Sequence, residues 1–295
     1  MKSQLKPLLK WAGGKSALIP DIKKYIKKFS SNLRFNRYVE PFLGSGAVFL
    51  SLVEDKEFEF KGYLLNDINQ DLINLYKYVK EDPEKIIRLH KKIKNDFTKL
   101  NNYYEIRDKY NGVNKDGRKV KKYSESEKAA ALMILNKTCF NGLYRVNKQG
   151  FFNVPQGKYK NPSFVNDDLI RHISGSLPNI KSITSKSFLK INYQKNDLVY
   201  FDPPYTPMST TANFTDYAST TFGETEQIEL AKKFEELDRS GKHVILSNSK
   251  TKFIKDLYSK FKNKHTVNRS GNINSKKNKR GKVEEYIILG NNFGK

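Results

Sequence analysis

The chain has 295 residues, 37% of them hydrophobic, with 19 Phe and 17 Tyr; that is enough for a sizeable core in one large domain or two modest ones, and it excludes a disordered tail. Lys and Arg number 55 against 31 Asp and Glu, a formal net charge of +24, so polyanions are the expected partners, nucleic acid ahead of an acidic membrane, unless the lysines only reflect an AT-rich genome. The lone Cys139 excludes an internal disulfide and suits a reducing cytoplasm, the scattered histidines lack metal-ligand spacing, and no apolar run is long enough for a membrane helix or a signal region.

The first marked stretch is WAGGKSALIP at 11–20. Gly13-Gly14-Lys15-Ser16 resembles the end of a nucleotide-triphosphate loop, but Leu9 stands where that motif has its first glycine, and no apolar strand precedes it. Lys15 is therefore expected to serve a different ligand. Apolar spacing over 16–28 predicts a short basic helix, and RYVEPFLGSGAVFLSL (37–52) predicts a short strand, a Pro/Gly turn and an apolar helix. GYLLNDIN (62–69) predicts a strand ending at Asn66-Asp67, with a helix over 69–80 behind it, and Pro83 suits the first turn of another. Residues 100–124 are polar and broken by Gly112 and Gly117, so a loop is expected there, then a helix over 126–137. Residues 139–162 interleave aromatic and basic residues with Gly and Pro breaks and predict hairpins. The alternation resumes with a strand in NDLVYFDPPY (196–205), a helix at 225–239, and strands in KHVILSNS (242–249) and KVEEYIILGN (282–291). The basic stretch NINSKKNKRGK (272–282), with Lys276, Lys277, Lys279 and Arg280, is expected to be a loop that meets phosphates. Strands alternating with helices imply an α/β fold around a mostly parallel sheet. The block 81–184 interrupts that pattern as an insertion.

Two stretches carry chemistry. EPFLGSG, from Glu40 to Gly46, places a glycine turn between a strand and a helix, where the backbone can approach a ligand closely. A plain strand-to-helix turn has the same look, but Asp67 ends the next strand, where an acidic residue suits ribose hydroxyls. Together they indicate a nucleoside-containing ligand without choosing between NAD and S-adenosylmethionine; Phe49 in place of a third dinucleotide glycine weakens the NAD reading. The second stretch is FDPPY, 201–205. Its double proline stiffens the turn and removes two N–H donors. The Asp202 carboxylate and the Pro203 carbonyl then offer two acceptors, and Tyr205 a ring face, which together match the exocyclic amine of a planar base.

The segments LLKWAGGK (8–15), EPFLGSGAVF (40–49), LNDIN (65–69), FNGLYRVNKQGFFNVPQGKYKNP (140–162), VYFDPPY (199–205) and ILSNS (245–249) stand in one order along nearly the whole chain. In this the chain resembles the Dam and DpnM type of adenine-N6 DNA methyltransferases that act on GATC. The resemblance implies a Rossmann-like S-adenosylmethionine-dependent methyltransferase sheet formed by 1–80 and 185–295, with 81–184 as an inserted helical and hairpin target-recognition subdomain. It implies S-adenosylmethionine as cofactor, held by Trp11, Lys15, Glu40, Phe42, Gly44, Asp67 and Asp202. It makes Asp202, Pro203 and Tyr205 catalytic. Double-stranded DNA becomes the partner, with no metal and no membrane. By the same resemblance Arg145 reads a guanine and Lys10 the outer guanine. Leu143 and Pro155 meet thymine, and Phe140 inserts into the base stack. Asn147, Asn153, Lys158 and Tyr159 contact mainly the backbone, and Lys158 departs from the usual arginine. The competing readings are a nucleic-acid-binding module without catalysis and a methyltransferase acting on RNA or on a protein amide.

Overall fold

The computed structural model describes residues 5–30, 35–177, 180–205, 222–270 and 282–293. Three of the strands are short and wholly buried: β2 (Gly62–Asn66), β4 (Asp197–Phe201) and β5 (His243–Ser249). Strands buried along their whole length belong inside a sheet covered on both faces. They lie there together with β1 (Arg37–Glu40), β3 (Ile180–Thr184), β6 (Lys264–Ser270) and β7 (Lys282–Leu289), in the order β3-β2-β1-β4-β5-β7-β6. The first five are mutually parallel, whereas β7 runs antiparallel to both β5 and β6.

Successive residues of a strand point to opposite faces, and the two cores obey this. Tyr38, Tyr200, Ile245 and Ile287 join one cluster, with α1 (Ile19–Ser30), α2 (Ala47–Val53) and α3 (Gln70–Glu81). Val39, Val199, Val244 and Ile288 join the other, beneath α8 (Glu224–Arg239) and α9 (Lys252–Leu257). The first core continues without a break into the middle of the chain. It takes in Ile86 of α4 (Pro83–Leu100), Tyr103 and Ile106 of α5 (Tyr103–Asn111), Ala129 to Leu135 of α6 (Glu125–Thr138), and Ile170 of α7 (Asp167–Gly175). Local chemistry starts these helices. Asp82 caps α4 with Pro83 behind it, and Ser124 and Glu127 form a reciprocal capping box on α6.

Three sequence expectations change. Residues 100–124 are not all loop: Tyr103, Ile106 and Tyr110 fall on one buried face and make α5, which ends at Gly112. The last five residues of the 81–184 block form β3, which pairs with β2 at Tyr63↔Ile180 and belongs to the sheet. The 139–162 segment is not a laddered hairpin. It is a 3-10 turn at Phe140–Gly142 and a folded-back loop held by single bridges, Cys139↔Gln156 and Val146↔Phe152. The basic stretch with Lys276, Lys277, Lys279 and Arg280 lies outside the described residues. Among the described residues no helix is long and apolar enough to cross a membrane, and no cluster of His, Cys, Asp or Glu could hold a metal ion.

Candidate active site

From β1 the chain works outward to β2 and β3, then returns to the other side of β1 for β4 and β5. Strand order therefore reverses between β1 and β4, and the crevice past their carboxyl ends is where open α/β sheets bind ligands. Register brings the sequence candidates to that crevice. Glu40 ends β1 opposite Leu65, Asp67 lies just beyond β2, and Asp202 follows Phe201, which pairs with Leu246.

The first glycine turn is built around Asp67. Its two carboxylate oxygens accept the N–H groups of Gly44 and Asn69, each at 2.9 Å. Gly44 has φ 50°, and a Cβ there would come within 3.1 Å of the Trp11 ring; the backbone-to-indole contact needs glycine. Trp11 in turn stacks on Tyr144, with ring centroids 5.3 Å apart. Ile68, beside Asp67, is 58% exposed and carries apolar surface out from the same strand end. Phe42 lies at the edge of the second core, against Phe188 and Phe222.

Lys15 is 4% exposed, and its Nζ lies 2.7 Å from Asp202 Oδ1, 2.7 Å from the Gly13 carbonyl and 4.5 Å from the centre of the Tyr205 ring. It thus lies against both side chains of the double-proline corner. The corner is braced from behind. Ser247 Oγ donates to Asp202 Oδ1 at 3.1 Å and shares a hydrogen bond with the Tyr200 hydroxyl at 2.8 Å. Gln227 Nε2 donates to the Pro204 carbonyl at 3.0 Å, and Asn248 Nδ2 donates to Gln227 Oε1 at 3.0 Å. The Tyr205 hydroxyl donates to Glu285 Oε2 at 2.8 Å.

Four carboxyl groups, Glu40, Asp67, Asp202 and Glu285, converge here on a protein whose net charge is +24. Burial pushes the Glu40 carboxyl well above the usual carboxylate range; the Tyr38 hydroxyl bond pulls it back, and the charges of Asp202 and Asp67 add to the rise. Burial also raises Asp202, while Lys15 offsets part of that. Asp67 is raised by burial and pulled back by the two N–H groups. A polyanionic triphosphate does not fit such a set of charges. A positively charged ligand does, because carboxyls raised by burial gain from a nearby cation, and Trp11 offers an aromatic wall beside them. The opening motif is thus no phosphate loop.

The 139–162 segment stands beside this crevice. Tyr144 links the two, stacking on Trp11 and donating to Asp71 Oδ2 at 2.8 Å. Arg145 is exposed, and its Nε and Nη2 donate to Asn153 at 2.7 and 3.3 Å. The side chain of Asn147 holds the turn, its Oδ1 accepting the N–H groups of Gln149 and Phe151 at 3.0 and 2.9 Å. Phe140 is 52% exposed and donates its N–H to the exposed Pro155. Lys10 lies 5.0 Å over the ring of Tyr159, Leu143 is partly buried, and Lys158 is exposed. Trp11, Lys15, Glu40, Gly44, Asp67, Asp202 and Tyr205 thus meet at one crevice, while Phe42 packs against the second core. The residues expected for DNA lie on the adjoining loop except Lys10, which stands on the N-terminal loop over Tyr159.

Sequence reasoning missed several supports. Asn136 of α6 is 1% exposed; its Oδ1 accepts the Lys10 N–H, and its Nδ2 donates to the carbonyls of Lys10 and Gly142. It ties the N-terminal loop to the 3-10 turn, and its only local signal is an amide ending the apolar run ALMIL. From α5, Tyr103 and Asn111 hold the backbone of Val154 and Phe152. Glu285 falls on the inward face of β7 with Ile287, which strict alternation along KVEEYIIL would have placed there.

The profile of the D12 class of N6 adenine-specific DNA methyltransferases matches residues 11–272. The type II methyltransferase M.MjaIII of Methanocaldococcus jannaschii is 38% identical, over 97% of this chain and 99% of that protein. The type II methyltransferase M1.LlaDCHI of Lactococcus lactis subsp. cremoris is also 38% identical, over 99% and 97%. The DNA adenine methylase of Escherichia coli strain K12 is 34% identical, over 95% and 94%. With a family match over most of its length and relatives aligned end to end, the chain belongs to the D12 class of N6 adenine-specific DNA methyltransferases.

Proposed function

We propose that the chain methylates N6 of adenine within GATC in duplex DNA, using S-adenosylmethionine and a target base turned out of the helix. The observation that carries the chemistry is the acidic crevice closed by the Asp202-Pro203-Pro204-Tyr205 corner. Trp11, Gly44, Asp67 and Glu40 are the residues to hold the cofactor, with Lys15 against its polar groups. When bound, that cofactor supplies a methyl group on a positively charged sulfur.

The chain's own task concerns the amine. The lone pair of N6 is delocalised into the adenine ring and is a poor nucleophile. Asp202 and the Pro203 carbonyl each accept one N6 hydrogen, which turns the lone pair out of conjugation. Tyr205 receives the base on its ring face. A purine inside a duplex cannot reach this corner, so the nucleotide leaves the stack first. Lys15 yields Asp202 Oδ1 to the amine, and Asp202 holds the proton that N6 sheds. Preorganised acceptors and close positioning provide most of the acceleration. Arg145 reads guanine O6 and N7 with two donors. Leu143 and Pro155 contact thymine, Phe140 fills the gap in the stack, and Lys10 reaches the outer guanine. Asn147, Asn153, Lys158 and Tyr159 meet the backbone. The block 81–184, apart from the strand β3 at its end, serves as the target-recognition unit.

The test is direct. Asp202→Ala is expected to lose adenine methylation by at least about 100-fold, the usual scale for removing a preorganised hydrogen-bonding group. Methylated adenines mapped in DNA treated with the native enzyme should fall in GATC. Methylation near the native rate in Asp202→Ala refutes the mechanism, and adenines mapped in a different sequence refute the target.

A further inference from the structure

Glu285 has no part in the steps above, yet it sits against them. It has no exposed surface, lies opposite Ser249 of β5, and accepts the hydroxyl of the tyrosine that closes the corner. The strand face is shared with the apolar Ile287, and Glu285 presents a carboxylate acceptor there to the Tyr205 hydroxyl. The hydroxyl bond constrains Tyr205 at its far end, while Pro203 and Pro204 stiffen the backbone at its near end. A ring anchored at both ends has a defined plane.

We propose that Glu285 is a positioning residue for methyl transfer, fixing from behind the Tyr205 ring that receives the target adenine. This rests on the reading of the corner given above. It has a second consequence. The groups facing Asp202 are Lys15 from the N-terminal loop, Glu40 and Tyr38 from β1, Tyr200 from β4, Tyr205 from the corner and Glu285 from β7. Burial is the main cause that raises Asp202; Lys15 and Ser247 lower it, and the charge of Glu285 raises it further. Removing that charge without removing the acceptor therefore lets Asp202 ionise at lower pH.

The experiment uses the full chain with Glu285→Gln, Glu285→Ala, Tyr205→Phe and the Tyr205→Phe/Glu285→Gln double variant. The readouts are kcat and KM for a GATC duplex against pH, and the fluorescence of 2-aminopurine at the target position with sinefungin present. Glu285→Gln keeps an acceptor, so kcat should change modestly while its acid limb moves to lower pH. Glu285→Ala should lower kcat by about 10- to 100-fold, the range for losing a hydrogen bond to a charged group. It should also brighten the 2-aminopurine, because the base no longer rests on a fixed ring. In the Tyr205→Phe background, Glu285→Gln should add no further change in fluorescence. Native kcat, acid limb and fluorescence in both Glu285 variants overturn the proposal, as does a loss that simply adds to that of Tyr205→Phe. If Glu285→Ala does not fold, the near-isosteric Gln variant carries the test through the acid limb. Asp202→Ala separates the two readings. If it stays active, the corner itself is misread; if it is dead while the Glu285 variants are native, only the role of Glu285 fails.

Discussion

Lys15 makes two contacts that the proposed mechanism assigns to the substrate: a donor on Asp202 Oδ1 and a partner over the Tyr205 ring. Its positive charge also opposes the burial that raises Asp202. The sign of a substitution follows. In Lys15→Met the lowering influence is gone, so the Asp202 carboxyl climbs further above its ordinary range. A group that must be ionised to accept the N6 hydrogen is then ionised only at higher pH, and the acid limb of kcat moves up. This is opposite to the shift expected for Glu285→Gln, and a pair of kcat profiles checks it. A limb that stays in place in Lys15→Met disconnects Asp202 from catalysis. Lys15, Asp67 and Asp202 were legible in the sequence because glycines, prolines or a strand end mark them locally. Ser247 and Glu285 were not. Their partners lie 45 and 80 residues away, across strands whose adjacency only the folded sheet creates.

The loop at 139–162 has little regular structure of its own; it is shaped by what surrounds it. Asn136 fastens its start to the N-terminal loop, and Tyr103 and Asn111 of α5 fasten its return. Gly142, at φ 66°, leaves no room for a Cβ beside the Lys10 side chain. Loosening the frame should therefore act differently from removing a reading group. Arg145→Ala is expected to cost about 1–3 kcal/mol at a single base pair of the target. Asn136→Ala strands the buried Gly142 carbonyl and loosens the part-buried carbonyl and N–H of Lys10, and should cost about 1–3 kcal/mol of folding stability. It should also blur selection at several positions at once. Competition binding with singly substituted duplexes, alongside thermal unfolding, distinguishes the two; a loss confined to one base pair in Asn136→Ala contradicts the framing role. The main strands and helices were readable because apolar periodicity and turn residues agree there. Helix α5 was hidden by its polar composition, with only Tyr103, Ile106 and Tyr110 facing inward. Strands β3 and β6 lie at the two edges of the sheet, where KHTVNRS carries too little apolar pattern to stand out.

The molecule combines a strongly basic exterior with an acidic crevice, and the two fields favour ligands of opposite sign. The net charge of +24 draws in the phosphate backbone. The convergence of Glu40, Asp67 and Asp202, each raised by burial, favours a cation at the carboxyl ends of the strands. Salt separates these contributions, because exposed charges are screened over about 8–10 Å at physiological ionic strength while buried pairs are screened much less. Affinity for a duplex lacking the target should fall steeply with added salt, with a logarithmic slope of about −0.9 per phosphate engaged. Lys158→Ala, which removes one exposed charge, should make that slope shallower by about 1 and weaken all sequences alike. Affinity for sinefungin, which carries an amine in place of the sulfonium, should change little over the same range. Titrations of both ligands at three salt concentrations decide the matter. A parallel fall of the two affinities means that the cofactor is held by screened surface charge, and the crevice then loses its claim to a separate field.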